Sequence, residues 1–174
     1  MPAAFILVLP FCVAAGVTDV LWHKVPNWLT GTLALMAIGL SATHGLRAVA
    51  VTVTVMVVFL LLGMLAFAAG WIGGGDVKLT AAAAGALSYP DCVPFLLYTV
   101  LGGGVLAIAF AIVRGRLKET LAGVSILAAR FFGRGVSSLT PPSTSSMPYA
   151  LAIGLGATLL LLSQTIAPFL RLPL

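Results

Sequence analysis

Charge is what this chain has least of. Of its 174 residues four are acidic and nine basic, 7% in all, while 61% are hydrophobic. A soluble domain carries about 25% charged and about 45–50% apolar residues. So few charges cannot cover a water-facing surface, and a mean hydropathy of +1.18 excludes a disordered chain as well, because disorder goes with low hydrophobicity. Cysteine is equally scarce. Cys12 and Cys92 lie in or beside apolar segments, without a CxxC pair or a histidine nearby, which excludes a cysteine zinc site and leaves them as space-filling side chains. Histidine is limited to His23 and His44, placed in loops on opposite sides and too far apart to share a metal.

What remains is a set of long apolar runs. A helix crossing a bilayer needs about 20 apolar residues. Runs at Pro2–Trp22, Trp28–Ala42, Ala48–Trp71, Val77–Tyr89, Val93–Val113 and Tyr149–Leu170 predict an all-α, polytopic membrane protein of about six spans. The first run is not a cleaved signal: no base precedes it and Lys24 follows it, the reverse of a signal's polarity. Between the fifth and sixth runs, Leu121, Val124, Leu127, Ala128 and Phe131 recur at helical spacing within Glu119–Phe132. That segment reads as a helix lying in the interface, and the stretch Thr140–Pro148 reads as a loop. There is no repeat, and residues 1–174 read as a single domain.

The net charge of +5 does not indicate nucleic acid, because the bases are scattered or gathered in one loop between spans. They indicate topology and anionic lipid. Arg114, Arg116, Lys118, Arg130 and Arg134 share the loop after the fifth run, which places it in the cytoplasm. Alternation brings Lys24 and Lys78 to the same side, leaves Arg47 and Arg171 outside, and puts both termini outside. Trp22, Trp28 and Trp71 then fall at the cytoplasmic interface, as an aromatic belt does.

The same alternation brings two acids to one face. Asp19 lies near the end of the first run and Asp76 opens the fourth, directly after Gly73-Gly74-Gly75. An ionisable residue at membrane depth is costly and marks function by default. The plain alternative is local pairing, Asp19 with Lys24 and Asp76 with Lys78. The glycine run argues against it: one glycine makes a turn, whereas three break the helix, admit close backbone approach and set Asp76 in the first turn of the next helix, where N–H groups favour a carboxylate. The fourth run is 13 residues, about 20 Å of helix against a hydrocarbon core of about 30 Å, so Asp76 sits below the cytoplasmic surface or in thinned bilayer. Two carboxyls sharing a proton there flank a water as in aspartic proteolysis. Asp91 falls on the outer side and takes no part.

Asp19 followed by Lys24-Val25-Pro26-Asn27, then Gly73-Gly74-Gly75-Asp76-Val77-Lys78, and finally Met147-Pro148-Tyr149-Ala150 before the last span, resembles the prepilin peptidase family of GxGD membrane aspartic proteases. Ala150-Leu151 replaces the more usual second proline stretch. The resemblance implies cleavage of the basic leader from pilin-like precursors at the cytoplasmic face of a bacterial inner membrane. It implies Asp19 and Asp76 as the catalytic pair, needing neither metal nor cofactor. Gly73, Gly75, Lys24, Pro26, Asn27 and Lys78 shape the site; Lys78 either meets the substrate or Asp76, or simply reaches the headgroups. Without a cysteine-rich loop ahead of the first span, the chain looks like the short, peptidase-only form that serves Flp (tight-adherence) pilins. Presenilin-like enzymes differ, since their first Asp follows a Tyr and here Thr18 precedes Asp19. The expected partners are a precursor protein and the bilayer. Two other functions fit the same acids: a small proton- or cation-coupled transporter using Asp19 and Asp76 as a relay, or a passive assembly factor in which both are dispensable.

Overall fold

The computed structural model describes residues 2–22, 24–69, 72–113, 115 and 149–170. All regular structure among them is helical: α1 (Pro2–Trp22), α2 (Asn27–Ala42), α3 (Leu46–Ala68), α4 (Gly74–Leu87), α5 (Cys92–Val113) and α6 (Tyr149–Leu170). The interfacial helix expected at Glu119–Phe132 and the loop at Thr140–Pro148 lie outside the described residues, as do His23, Trp71 and the five bases of the long loop. Three helices are long and apolar enough to cross a membrane, Ala4–Trp22, Leu46–Ala68 and Cys92–Val113, while Asn27–Ala42 and Tyr149–Thr165 are shorter apolar helices.

The chain forms two compact units, one of residues 1–103 with 148–174, the other of residues 104–147. Of the second, the described part is the end of α5 and Gly115.

The first unit is organised by α4. This helix is short and rich in alanine, with Ala81, Ala82, Ala83, Ala84 and Gly85 all buried. It is wrapped by α1, α2, α3 and α6. Small residues let helix backbones approach closely where lipid offers no hydrophobic drive, and a helix buried on every side needs no polar face. Glycines take the tightest places. A Cβ on Gly63 of α3 would meet Val77 Cγ1 of α4 at 2.6 Å, and one on Gly85 would strike the Met56 side chain. The buried hydroxyl of Thr52 on α3 is satisfied by Ser88 Oγ at 2.9 Å, just past the end of α4.

Helix α1 presents Phe5, Val8, Cys12, Ala15 and Asp19 to the interior, alternating steps of three and four that keep one face. Helix α6 answers with Ala150, Ile153, Ala157 and Leu160. Gly16 abuts Leu151 and Gly154 abuts Cys12, so the two helices run antiparallel, and Asp19 occupies the last position of the buried α1 seam. Both cysteines are free and buried.

Helices α2 and α5 each start one residue before the expected run, and the larger differences are at α3 and α4. Helix α3 starts at Leu46 and ends at Ala68, short of Trp71. Helix α4 begins at Gly74, because the first turn of a helix uses no intrahelical N–H bonds and tolerates glycine, and it ends at Leu87, where Ser88 turns to φ 56°.

The closest backbone approach gives the first prediction. A Cβ on Gly156 would come within 2.8 Å of Thr99 backbone atoms, which cannot rotate away. Gly156→Ala is expected to destabilise the protein by about 1–3 kcal/mol through overpacking. Gly39→Ala, with nothing within 4 Å, is expected to be neutral or slightly stabilising, by up to about 1 kcal/mol. Thermal unfolding in detergent checks both.

Candidate active site

Asp19 and Asp76 reach the same place by different routes. Asp19 arrives as the last inward residue of the α1 seam, 7% exposed. Asp76 is the third residue of α4 and 9% exposed. The two are close enough for each charge to act on the other.

The glycine run explains how a carboxyl can be held there. Gly73 is the N-cap of α4, in extended conformation and without a side-chain cap. The carboxylate of Asp76 reaches back to the Gly73 backbone N–H, the N3-to-N-cap half of a capping box. A Cβ on Gly73 would sit 3.0 Å from Asp76 Oδ2, so the residue is kept bare by its own helix's acid. Asp76 Oδ1 is buried and has no hydrogen-bond partner among the described residues. A carboxylate oxygen left without a donor in an apolar setting is costly and is the atom that a shared proton or a water would satisfy.

Asp19 is held from the other side. The Ala150 N–H, in the first turn of α6, donates to Asp19 Oδ2 at 3.4 Å. Tyr149, at the start of that helix, lies within electrostatic reach of Asp76. Sequence reading gave neither residue a role. The signal was the proline-led stretch Met147–Ala150, and what it lacked was the antiparallel seam that brings the head of α6 to the end of α1.

The other residues singled out in sequence divide into two groups. Gly75 packs on the α1–α2 link, where its added Cβ would stand 3.0 Å from Val25 Cβ. Pro26 is the N-cap of α2, its carbonyl accepting the Leu29 N–H at 3.1 Å. Asn27, the first residue of α2, accepts a hydrogen bond from Lys78 Nζ at 2.9 Å. The ammonium of Lys78 therefore turns to α2. Lys24 is exposed in the link. An open groove of about 380 Å³ runs between α2, α3 and α4, with Asn27 and Lys78 among apolar side chains such as Ala34, Met56, Leu60 and Ala81. Asp91 lies apart from the acid pair and accepts a hydrogen bond from Gln164 Nε2, far along α6, at 2.9 Å.

Chemically, the site offers two carboxyls within electrostatic reach of each other, one with a bare buried oxygen, a backbone donor on each, and a phenol within electrostatic reach of Asp76. The model of the type IV leader peptidase family matches residues 6–108, from the first turns of α1 through most of α5, both acids included. No curated protein and no solved structure matches the chain.

Burying two like-charged groups together is unfavourable, and more so as pH rises and both lose their protons. Asp76→Asn removes one charge at little change in volume. The variant is expected to be more stable than the wild type at pH 9, by about 1 kcal/mol or more, with the gap narrowing toward pH 5. Thermal melts across that range measure it; a gap that stays constant with pH contradicts the coupling.

Proposed function

The chain belongs to the type IV leader peptidase family, which makes it a leader-peptidase-type protease, and from that premise we propose that it is a membrane aspartic endopeptidase with Asp19 and Asp76 as its catalytic pair. One carboxylate takes a proton from a water, which attacks the scissile carbonyl. The other, protonated, donates to the carbonyl oxygen and then assists departure of the amine. The observation that carries this reading is that two buried acids lie within electrostatic reach of each other in a chain of this family. The unpartnered Asp76 Oδ1 supports a water or shared proton at that atom.

The substrate is a pilin-like precursor, and the scissile bond lies between its basic leader and its apolar helix. Cleavage takes place near the cytoplasmic face of a bacterial inner membrane. The bases of the loop after α5, with Lys24 and Lys78, support that orientation. Residues 1–174 act as one peptidase domain. Gly73 and Gly75 keep the approach to Asp76 open, and Tyr149, within electrostatic reach of Asp76, meets the substrate.

Co-expression with a leader-bearing pilin precursor, followed by intact-mass measurement, tests the proposal. Wild type removes the leader in one discrete cut. Asp19→Asn and Asp76→Asn each lower the rate by about 10⁴-fold or more, to the background left when a catalytic group is removed, while Asp91→Asn cleaves normally. In detergent the rate follows a bell with pH, since only the singly protonated pair holds both base and acid. Normal processing by Asp19→Asn or by Asp76→Asn, or a rate that keeps rising through pH 9 in folded protein, excludes the pair. A precursor left intact by wild type would argue for the proton-relay alternative.

A further inference from the structure

The hydrogen bond from Lys78 Nζ to Asn27 Oδ1 joins residues 51 apart in sequence. It links the first residue of α2 to the second turn of α4. Lys78 follows Asp76 by two positions, about 200° around the helix at 100° per residue, so its side chain leaves α4 on the side away from the carboxyl. It is therefore ill placed to pair with Asp76 and well placed to hold α2.

Three features make this bond mechanically important. The link between α1 and α2 is short, running from Trp22 to Asn27, and Pro26 fixes its own φ at −64°. Force on Asn27 is thus passed to the end of α1, one turn beyond Asp19. The same link touches α4 at a second point, where Gly75 admits Val25 so closely that an added Cβ would stand 3.0 Å from Val25 Cβ and 3.5 Å from the Val25 carbonyl oxygen. Finally, the bond is exposed at the mouth of the α2–α3–α4 groove, and as a charge-assisted hydrogen bond it is shorter and stronger than a neutral one.

We propose that Lys78 and Asn27 are positioning residues: their hydrogen bond clamps the α1–α2 link onto the first turns of α4 and so sets the separation of Asp19 and Asp76. The inference rests on the reading of those acids as the catalytic pair. Asp76 is carried by the clamped turn itself, two residues before Lys78. Asp19 is carried by the helix that feeds the clamped link, and the Ala150 N–H fixes it from the opposite side. Among the described residues, Tyr149 on α6 lies within electrostatic reach of Asp76, while Lys24 is exposed in the link and Lys78 leaves α4 on the side away from the carboxyl. Of these Lys78 is spent on the clamp.

The test uses the full chain in detergent and has two readouts. Val25→Cys with Gly75→Cys sets the two Cβ positions 3.0 Å apart, about 0.5 Å inside the range a disulfide spans, so that once the link yields slightly mild oxidation cross-links them; the single-cysteine variants are controls against the native Cys12 and Cys92. Adding Lys78→Met slows that cross-linking by about tenfold, as the effective concentration of the two thiols falls. Lys78→Arg, which keeps a donor, restores it. Asn27→Ala, which keeps the lysine, matches Lys78→Met, and the double variant is no worse than either alone. The second readout is cleavage of the pilin precursor that wild type processes. Lys78→Met lowers kcat by about 10- to 100-fold, as expected when reacting groups are misplaced by about 1 Å, with KM changed by less than about twofold.

Cross-linking at the parent rate in both Lys78→Met and Asn27→Ala overturns the clamp. Slowed cross-linking with kcat intact overturns its positioning role, as does a loss that appears in KM alone. If wild type cleaves no precursor, the catalytic reading of the pair fails and the positioning role fails with it, while the cross-linking rate still decides whether the clamp exists.

Discussion

Two carboxyls that must stay close inside an apolar helix bundle repel one another and are poorly solvated, and the fold around them is arranged to supply what water would have supplied. Each acid is given a backbone donor at a helix N-terminus, Gly73 for Asp76 and Ala150 for Asp19. Both donors come from the positive end of a helix dipole, which favours a carboxylate. The termini of α4 and α6 thus converge on the end of α1. That arrangement favours glycine at position 73, where a Cβ would press on Asp76 Oδ2 at 3.0 Å.

The second requirement is that α4 sit at the centre of its unit, since it carries one of the acids and must be held on all sides. Its alanine-rich middle and the close-packing glycines on α3 and α4 achieve this without large side chains. Bulk is placed instead at Phe5, Leu33 and Phe59 on the surrounding helices and at Phe95 on α5. The outward faces of α3 and α5 remain apolar, with Leu61, Leu65, Val100 and Ile108 among the exposed residues, as suits helices in contact with lipid rather than water.

Much of this was legible in the sequence, because membrane spans are signalled by length and hydropathy alone. The ends of α1, α2 and α5 fall where the apolar runs stop. The alternation of spans led to the expectation that Asp19 and Asp76 share one face, and the two acids lie within electrostatic reach of each other. What was not legible depends on contacts between distant segments. Gly74 and Gly75 read as a turn and are helical, since a glycine run marks where a helix is interrupted without saying which glycine begins the next one. Lys78 bonding to Asn27 joins two helices whose rotation no local pattern fixes. Ala150 acts through its backbone, and a backbone donor has no sequence signature. The seam of Phe5, Val8, Cys12, Ala15 and Asp19 keeps a 3.5-residue period, and that period turns Asp19 to the same side of α1 as the apolar residues before it.

The central claim is that Asp19 and Asp76 interact as a pair, and the small number of acids allows it to be measured directly. The chain holds three aspartates, Asp19, Asp76 and Asp91, so carboxyl-¹³C aspartate gives three resolvable signals in the folded protein. Followed through a pH titration, Asp19 and Asp76 are expected to shift together in two interdependent steps. In Asp19→Asn the Asp76 signal is expected to collapse to a single step at a different midpoint. An Asp76 titration identical in wild type and Asp19→Asn would show that the two carboxyls do not sense each other, and would contradict the account.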